Sequence, residues 1–518
     1  MLYQIIPIAA PAALVIAASF AFKRPGRRPQ LIPQMTELAA VFALIVATAS
    51  AAMMAWQSSA HGQYAAEFTG LLTHFDVVSA IMLTLVSFIG WIVLRFSASY
   101  LDGEAGQGAF LGWMSATLAS VMLLILAGNL VLFVAAWIAT SLCLHRLLLF
   151  YSDRIQAVRA ARKKQIVARA GDIALIGAAV LLAFGYGSVN IETIIGAASD
   201  GEVPVPALWA AGLLALAAVL KSAQFPTHGW LTEVMETPTP VSALLHAGVI
   251  NAGGFLLIRF ADIMLLVPGV LAILVMLGGF TALFGGLAML SQSAVKSSLA
   301  WSTIAQMGFM IMQCGLALFP LALLHIVAHS LYKAHAFLAS GSAVDRVAAL
   351  RRPGPVAVPN GWAVTRAFAL ALAIFAVIGF AFGLDTKSPQ AIALGAILIF
   401  GVAYLIAQGL ADAAPRILTM RTALYSVAAS VTYFALQSGS FWLTAGTLPA
   451  TPMPGPLEWA LLILATCSFG IVAVAQAMFP LWSDHPAAAG LRVHLSNGLY
   501  ANAVFDRLVG NWSIRRAS

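Results

Sequence analysis

The sequence predicts an all-α polytopic membrane protein, and composition, run length and the shortness of its polar segments carry that prediction. Of its 518 residues, 61% are hydrophobic and 9% charged, with mean hydropathy +0.93, whereas a soluble globular chain is about 25% charged. Apolar runs of the roughly 20 residues that a helix needs to cross a bilayer core recur along the whole chain. The polar segments between them reach only about 20 residues, short of the roughly 50 that a soluble domain needs. Chemistry on a large substrate is therefore not expected here, and no nucleotide loop or nucleophile–base arrangement suggests a free-standing enzyme.

Taken in order, the apolar runs place about fifteen spans. They lie near residues 3–22, 36–56, 76–97, 109–126, 128–150, 166–187, 206–236 (interrupted), 240–260, 266–290, 298–318, 320–342, 364–384, 389–411, 420–437 and 457–480. The first run lacks a basic leader and reads as a span rather than a cleaved signal. Basic residues test the count independently, because they collect in short cytoplasmic loops. Lys23, Arg24, Arg27 and Arg28 follow the first span; Arg154, Arg159, Arg162, Lys163 and Lys164 follow the fifth. Arg346, Arg351 and Arg352 follow the eleventh, Arg416 and Arg421 the thirteenth, and Arg492, Arg507, Arg515 and Arg516 come last. An odd number of spans across a bacterial inner membrane, with the N-terminus periplasmic and the C-terminus cytoplasmic, satisfies all five groups. The same rule explains the net charge of +8 and pI near 9.6 without a nucleic-acid partner. Cys143, Cys314 and Cys467 stand singly in apolar runs, so no disulfide framework or metal motif is expected, and no cofactor is expected in this chain.

The functional signal lies in ionisable residues inside spans, where each costs at least about 2.5 kcal/mol and so marks a wet path or a partner charge. Lys221 sits in an apolar run closed by Pro226, which breaks the helix beside the amine. His246 lies two turns into the run opened by Pro238 and Pro240. His325, His329 and Lys333 recur at i, i+4 and i+8 and share one helix face, suited to passing protons along a line. A zinc site at His325 and His329 lacks a third ligand. Lys296 opens the tenth span. Asp172 can pair with Lys221 or with Arg169 one turn before it. Glu233 and Glu236 flank the break between the seventh and eighth spans, as mouth or cap. His335 and Lys387 are accessory candidates.

The segment Lys221-Ser-Ala-Gln-Phe-Pro-Thr-His-Gly-Trp-Leu-Thr-Glu-Val-Met-Glu-Thr-Pro-Thr-Pro-Val-Ser-Ala-Leu-Leu-His246 resembles the signature of antiporter-like membrane subunits, which include the large pumping subunits of respiratory complex I and of multisubunit sodium/proton antiporters. The likeness continues through Lys296-Ser-Ser-Leu-Ala-Trp and His325-Ile-Val-Ala-His-Ser-Leu-Tyr-Lys333-Ala-His335, covering roughly spans three to eleven. It implies two inverted five-helix repeats with broken helices, at 109–262 and 263–415. N-terminal helices would occupy 1–108, C-terminal helices 416–482 and a cytoplasmic tail 483–518. By matching positions, Lys221 takes the family's central lysine role, with His246, Lys296, His325, His329 and Lys333 on a hydrated axis.

Departures from that pattern narrow the branch. Ile138 follows Trp137 where complex I and antiporter relatives place a glutamate, so Asp172 is raised as its replacement; Asp385, Lys387 and Pro389 substitute loosely for a proline-rich break in the twelfth span. With the 137–151 segment and the tail 491–507, the chain looks most like the membrane subunit of DAB-type inorganic carbon transporters. That resemblance implies a proton- or sodium-conducting subunit coupled to a large cytoplasmic partner similar to a beta-type carbonic anhydrase. The partner would hold zinc and hydrate carbon dioxide. The alternative is a subunit of a complex I-like NADH-quinone oxidoreductase or of a sodium/proton antiporter.

Overall fold

The computed structural model describes residues 5–61, 73–341, 360–410, 416–508 and Gly510. Arg346, Arg351, Arg352, Arg515 and Arg516 lie outside the described residues, which contain helices, turns and isolated bridges such as Thr73–Ala127 and Asn129–Asn190.

Helices α1 (Ala9–Lys23), α2 (Ile32–His61), α3 (Val77–Tyr100) and α4 (Gln107–Leu126) pack as an N-terminal group, and α4 continues against α5 (Leu130–Leu148). Asp76 and Asn129 cap α3 and α5 by accepting from the backbone N–H of Ser79 at 2.7 Å and of Leu132 at 2.8 Å. Next come α6 (Ile155–Tyr186), the short α7 (Ile191–Ser199) and α8 (Val205–Lys221), with α6 packed on both α5 and α8. Helix α6 begins well before the expected 166. Ala157, Ala160, Ala161, Lys164, Val167 and Gly171 are all buried at helical spacing, so the basic stretch read as a loop is the first part of the helix.

Helix α8 stops at Lys221, and Ala223 takes φ +49° before α9 (Gly229–Glu233). The next span is also interrupted: α10 (Thr239–Ala247) ends at Gly248 and resumes as α11 (Ala252–Arg259), followed by α12 (Ala261–Leu265). This interrupted pair is the centre of the molecule, with 94% of its most apolar stretch buried. Helices α13 (Pro268–Leu290) and α14 (Val295–Gly315) lie in backbone contact, because a Cβ at Gly278 would meet Met312 N at 2.5 Å and one at Gly308 would meet Ala282 N at 2.5 Å. Helix α15 (Phe319–Leu338) packs on α10 and α14. A separate hydrophobic cluster holds α16 (Gly361–Ala381), α17 (Pro389–Gly409) and α18 (Arg416–Thr444) together; α19 (Pro456–Ala477) packs on α17 and α13 and adds Ala477 to that cluster, and α20 (Phe479–Trp482), α21 (Pro486–Ser496) and α22 (Ala501–Leu508) follow.

Each of the predicted stretches contains a helix, and 11 helices among the described residues are long and apolar enough to cross a membrane. The others are the shorter α8 and α17, and α14 and α18, which carry serines, threonines and glutamines along their length. The chain is a multi-pass membrane protein.

Candidate ion-translocation site

The centre of the site is Ser141 on α5. The Lys221 ammonium donates to its Oγ at 3.1 Å and lies 4.3 Å from the centroid of the Trp137 ring, a cation–π contact. From α6 the buried Lys164 donates to the Ser141 backbone carbonyl at 2.8 Å. Both amines line one small cavity of about 20 Å³ with Leu144, Trp230 and Leu245. Among the described residues neither amine forms an ion pair. Asp172 instead pairs with Arg169, Oδ2 to Nη2 2.9 Å. Of the two pairings open in the sequence, the structure makes the local one. Two amines that share one small cavity repel when both are charged, so a proton on one favours release from the other.

The second group lies between α10, α14 and α15. His246 Nδ1 is 3.0 Å from Thr303 Oγ1, and its ring stacks on Phe337 at 4.4 Å. The His246 carbonyl accepts from His329 Nε2 at 3.1 Å, which fixes a proton on that nitrogen. His325 and His329 have ring centroids 6.0 Å apart, and His325 Nδ1 meets Gln313 Oε1 at 2.8 Å. Buried Lys333 donates to the Leu299 carbonyl at 3.1 Å. At the α10–α11 break, Asn251 Nδ2 donates to Ser330 Oγ at 2.8 Å and ties the interruption to α15. Among the described residues, His246 Nε2, His228 Nδ1 and Trp230 Nε1 are buried without a hydrogen-bond partner, a pattern that suits water-filled proton paths.

At the α10 N-terminal end, Glu233 and Glu236 line a cavity of about 420 Å³ with Gln156, Arg159, Ser297 and Asp506. Fully buried Lys163 pairs with Glu233 at 2.6 Å, donates to Asn502 Oδ1 at 2.6 Å, and pairs with Asp506. The tail helix α22 thus closes one side of this mouth. Glu236 faces Arg154 at 3.6 Å. At the other end of the same interrupted span, Arg259 donates to Asp76 at 2.7 Å and to Ser79 Oγ at 2.7 Å, and His74 lies 3.3 Å from Asp76 and 3.7 Å from Glu192. Burial alone would lower the His74 imidazole, but the Asp76 and Glu192 carboxylates raise it above its ordinary value. Burial would raise Asp76, but Arg259 and His74 hold it well below the usual carboxylate range.

The structure therefore brings His246, His325 and His329 together and places Lys221 on Ser141. It gives Lys296 and the exposed His335 no hydrogen bond to that set, and seats Lys387 in the C-terminal cluster, donating to Ser438 Oγ at 3.4 Å. Sequence reasoning missed Lys163 and Lys164 as buried groups, and it missed the His74–Asp76–Arg259 cluster. The available signals were the helical spacing of Ala157, Ala160 and Ala161 ahead of Lys164, and Asp76 three residues before Ser79 as a cap pattern.

A family described as NADH:quinone oxidoreductase/Mrp antiporter, TM, matches residues 127–353, and the N-terminal family of complex I chain 5 matches residues 70–111. The chain is 39% identical over 437 residues to the Halothiobacillus neapolitanus protein named "Probable inorganic carbon transporter subunit DabB2", covering 83% of this chain and 78% of that one. It is 44% identical over 300 residues to "Probable inorganic carbon transporter subunit DabB" of Hydrogenovibrio crunogenus, covering 55% and 58%. NADH-quinone oxidoreductase subunit L of Escherichia coli is 35% identical over 274 residues, covering 52% and 44%. Among solved structures, a chain of the Mrp complex from Dietzia superposes with TM-score 0.60 at 21% identity, over 100% of this chain and 61% of that one, which shows a shared fold.

Proposed function

The chain belongs to the DabB family of inorganic carbon transporter subunits, and we propose that it is the proton-conducting inner-membrane subunit of an energy-coupled inorganic carbon pump. One observation carries the choice of ion. The groups at the centre are amines and imidazoles, with Lys164 and Lys221 meeting on Ser141 and, among the described residues, no carboxylate in an ion pair with either. Amines and imidazoles exchange protons, whereas a sodium ion needs a cage of oxygen ligands.

In this reading a proton moves between the Glu233 cavity and the far side by way of Lys221, His246, His325, His329 and Lys333. The N-terminus is periplasmic and the C-terminus cytoplasmic. The partner is a large cytoplasmic zinc-bearing subunit similar to a beta-type carbonic anhydrase, where carbon dioxide is hydrated; this chain supplies the driving force and no catalytic group. One proton crossing about 150 mV releases about 3.5 kcal/mol, equivalent to a roughly 300-fold concentration ratio. Coupling requires two conformations that differ in proton affinity, and a buried amine that interacts with a second amine supplies such a difference.

The test is labelled inorganic carbon uptake by cells, with and without a protonophore, combined with purification of the tagged chain from its own membrane. A single large zinc-bearing soluble partner and protonophore-sensitive uptake are expected. Copurifying flavin or iron–sulfur proteins, or a set of small membrane subunits, would assign the chain to a respiratory or antiporter complex instead.

A further inference from the structure

We propose that Lys164 is a second proton carrier, exchanging protons with Lys221 across Ser141 and one water molecule; this rests on the proton-conducting reading above. Lys164 and Lys221 come from α6 and α8, which pack together with only the short α7 between them in the chain, and both amines terminate on Ser141 of α5. The cavity they share, about 20 Å³, exceeds the roughly 10–15 Å³ that one water molecule needs, and its lining includes both lysines and Ser141. The preceding residue, Lys163, reaches the opposite way, to Glu233 and Asp506 at the edge of the large cavity. Two consecutive lysines thus bracket the step between mouth and centre.

The step balances as follows. An N–H bond of the Lys164 ammonium breaks and its proton passes to the water oxygen. That water releases another proton to the lone pair of neutral Lys221, so one charge moves between the two nitrogens while the water is regenerated and Ser141 keeps both amines in place. The charged and titratable groups facing Lys164 are Lys221 on α8, Cys143 and His145 on α5, and Arg169 and Asp172 on α6 itself.

A purely structural lysine would need only its charge and its donor to the Ser141 carbonyl. Arginine supplies both and does not release its proton. The experiment therefore measures proton flux into sealed membrane vesicles from cells producing the whole transporter, with a pH-sensitive dye across pH ~6–9, the chain being quantified by immunoblot. Lys164→Arg is expected to lower flux at least about tenfold at unchanged protein level. Lys164→His is expected to retain part of the flux with its optimum moved to lower pH. Flux in Lys164→Arg within about twofold of wild type, with an unchanged pH profile, overturns the proposal. Lys221→Arg runs beside it. Retained flux there overturns the proton-conducting reading itself, whereas loss there with retention in Lys164→Arg overturns only the role of Lys164. Should Lys164→Arg fail to accumulate, Lys164→His decides, a moved optimum supporting the relay and an unmoved one sinking it.

Discussion

Around Lys221 the polar contacts run between helices, whereas at α15 they start from a stripe on a single helix. Ser141, Lys164 and Lys221 belong to three helices and meet at one point. His325, His329 and Lys333 follow one another along α15, each anchored to a different neighbour: Gln313, the His246 carbonyl and the Leu299 carbonyl. The first arrangement gathers two titratable amines in one place and so suits a switch. The second spaces proton-exchanging groups along one helix and suits conduction. A switch should fail entirely when one member is lost, and a line should fail by degrees.

The largest effect that sharpens this contrast is expected at Lys221. Lys221→Ala should abolish protonophore-sensitive carbon uptake, a loss of about 100-fold or more, while the chain still accumulates in the membrane. Wild-type uptake in that variant would refute the switch. His329→Ala comes next, because it removes both a ring of the line and the donor to the His246 carbonyl; a loss of about tenfold is expected, and His325→Ala, which leaves that hydrogen bond in place, should lose less. Equal and complete loss in both would mean that the α15 line is a switch as well.

A third prediction concerns stability rather than flux. Breaking the Arg259–Asp76 pair with Arg259→Met leaves a carboxylate without its main partner and should destabilise the chain by about 3 kcal/mol, measured by thermal unfolding in detergent. The pH dependence of that cluster has a definite sign. His74 is raised, so its contribution is present below its ordinary 6.5 and is lost as pH rises through its higher folded value. Asp76 is lowered, so its contribution is present above its ordinary 3.8 and is lost as pH falls through its folded value. His74→Gln should therefore flatten the alkaline side of the stability profile and weaken the acid side without abolishing it, because Arg259 still holds Asp76 low. The smallest effect is expected at Lys387, whose ammonium contacts Ser438 and the Phe434 ring away from the path; uptake by Lys387→Ala within about twofold of wild type is expected, and a tenfold loss would extend the path into the C-terminal helices.

The same contrast explains what the sequence disclosed. The α15 stripe is written in one short segment, and helical spacing converts it directly into a shared face. The break after Lys221 was equally plain from Pro226. Lys164 was not legible, because its burial depends on Ser141 and Lys221, residues placed against it by the packing of α5 and α8 on α6. Five basic residues between 154 and 164 looked like a solvated loop, and only the packing of α6 shows that two of them turn inward. Asp172 is the reverse case: both of its possible partners were visible, and the nearer one, Arg169, takes it.

The clasp at Lys163 has a consequence for biogenesis. Its partners Glu233, Asn502 and Asp506 come from residues separated by up to 343 positions in the chain, and Asn502 also donates to Glu233 at 2.6 Å. A nascent chain that has already inserted α5 to α15 has the buried amines and the histidine line but not the last two members of the mouth. The rim of this cavity is thus completed only when residues 502 and 506 have left the ribosome, well after the histidine line has been made.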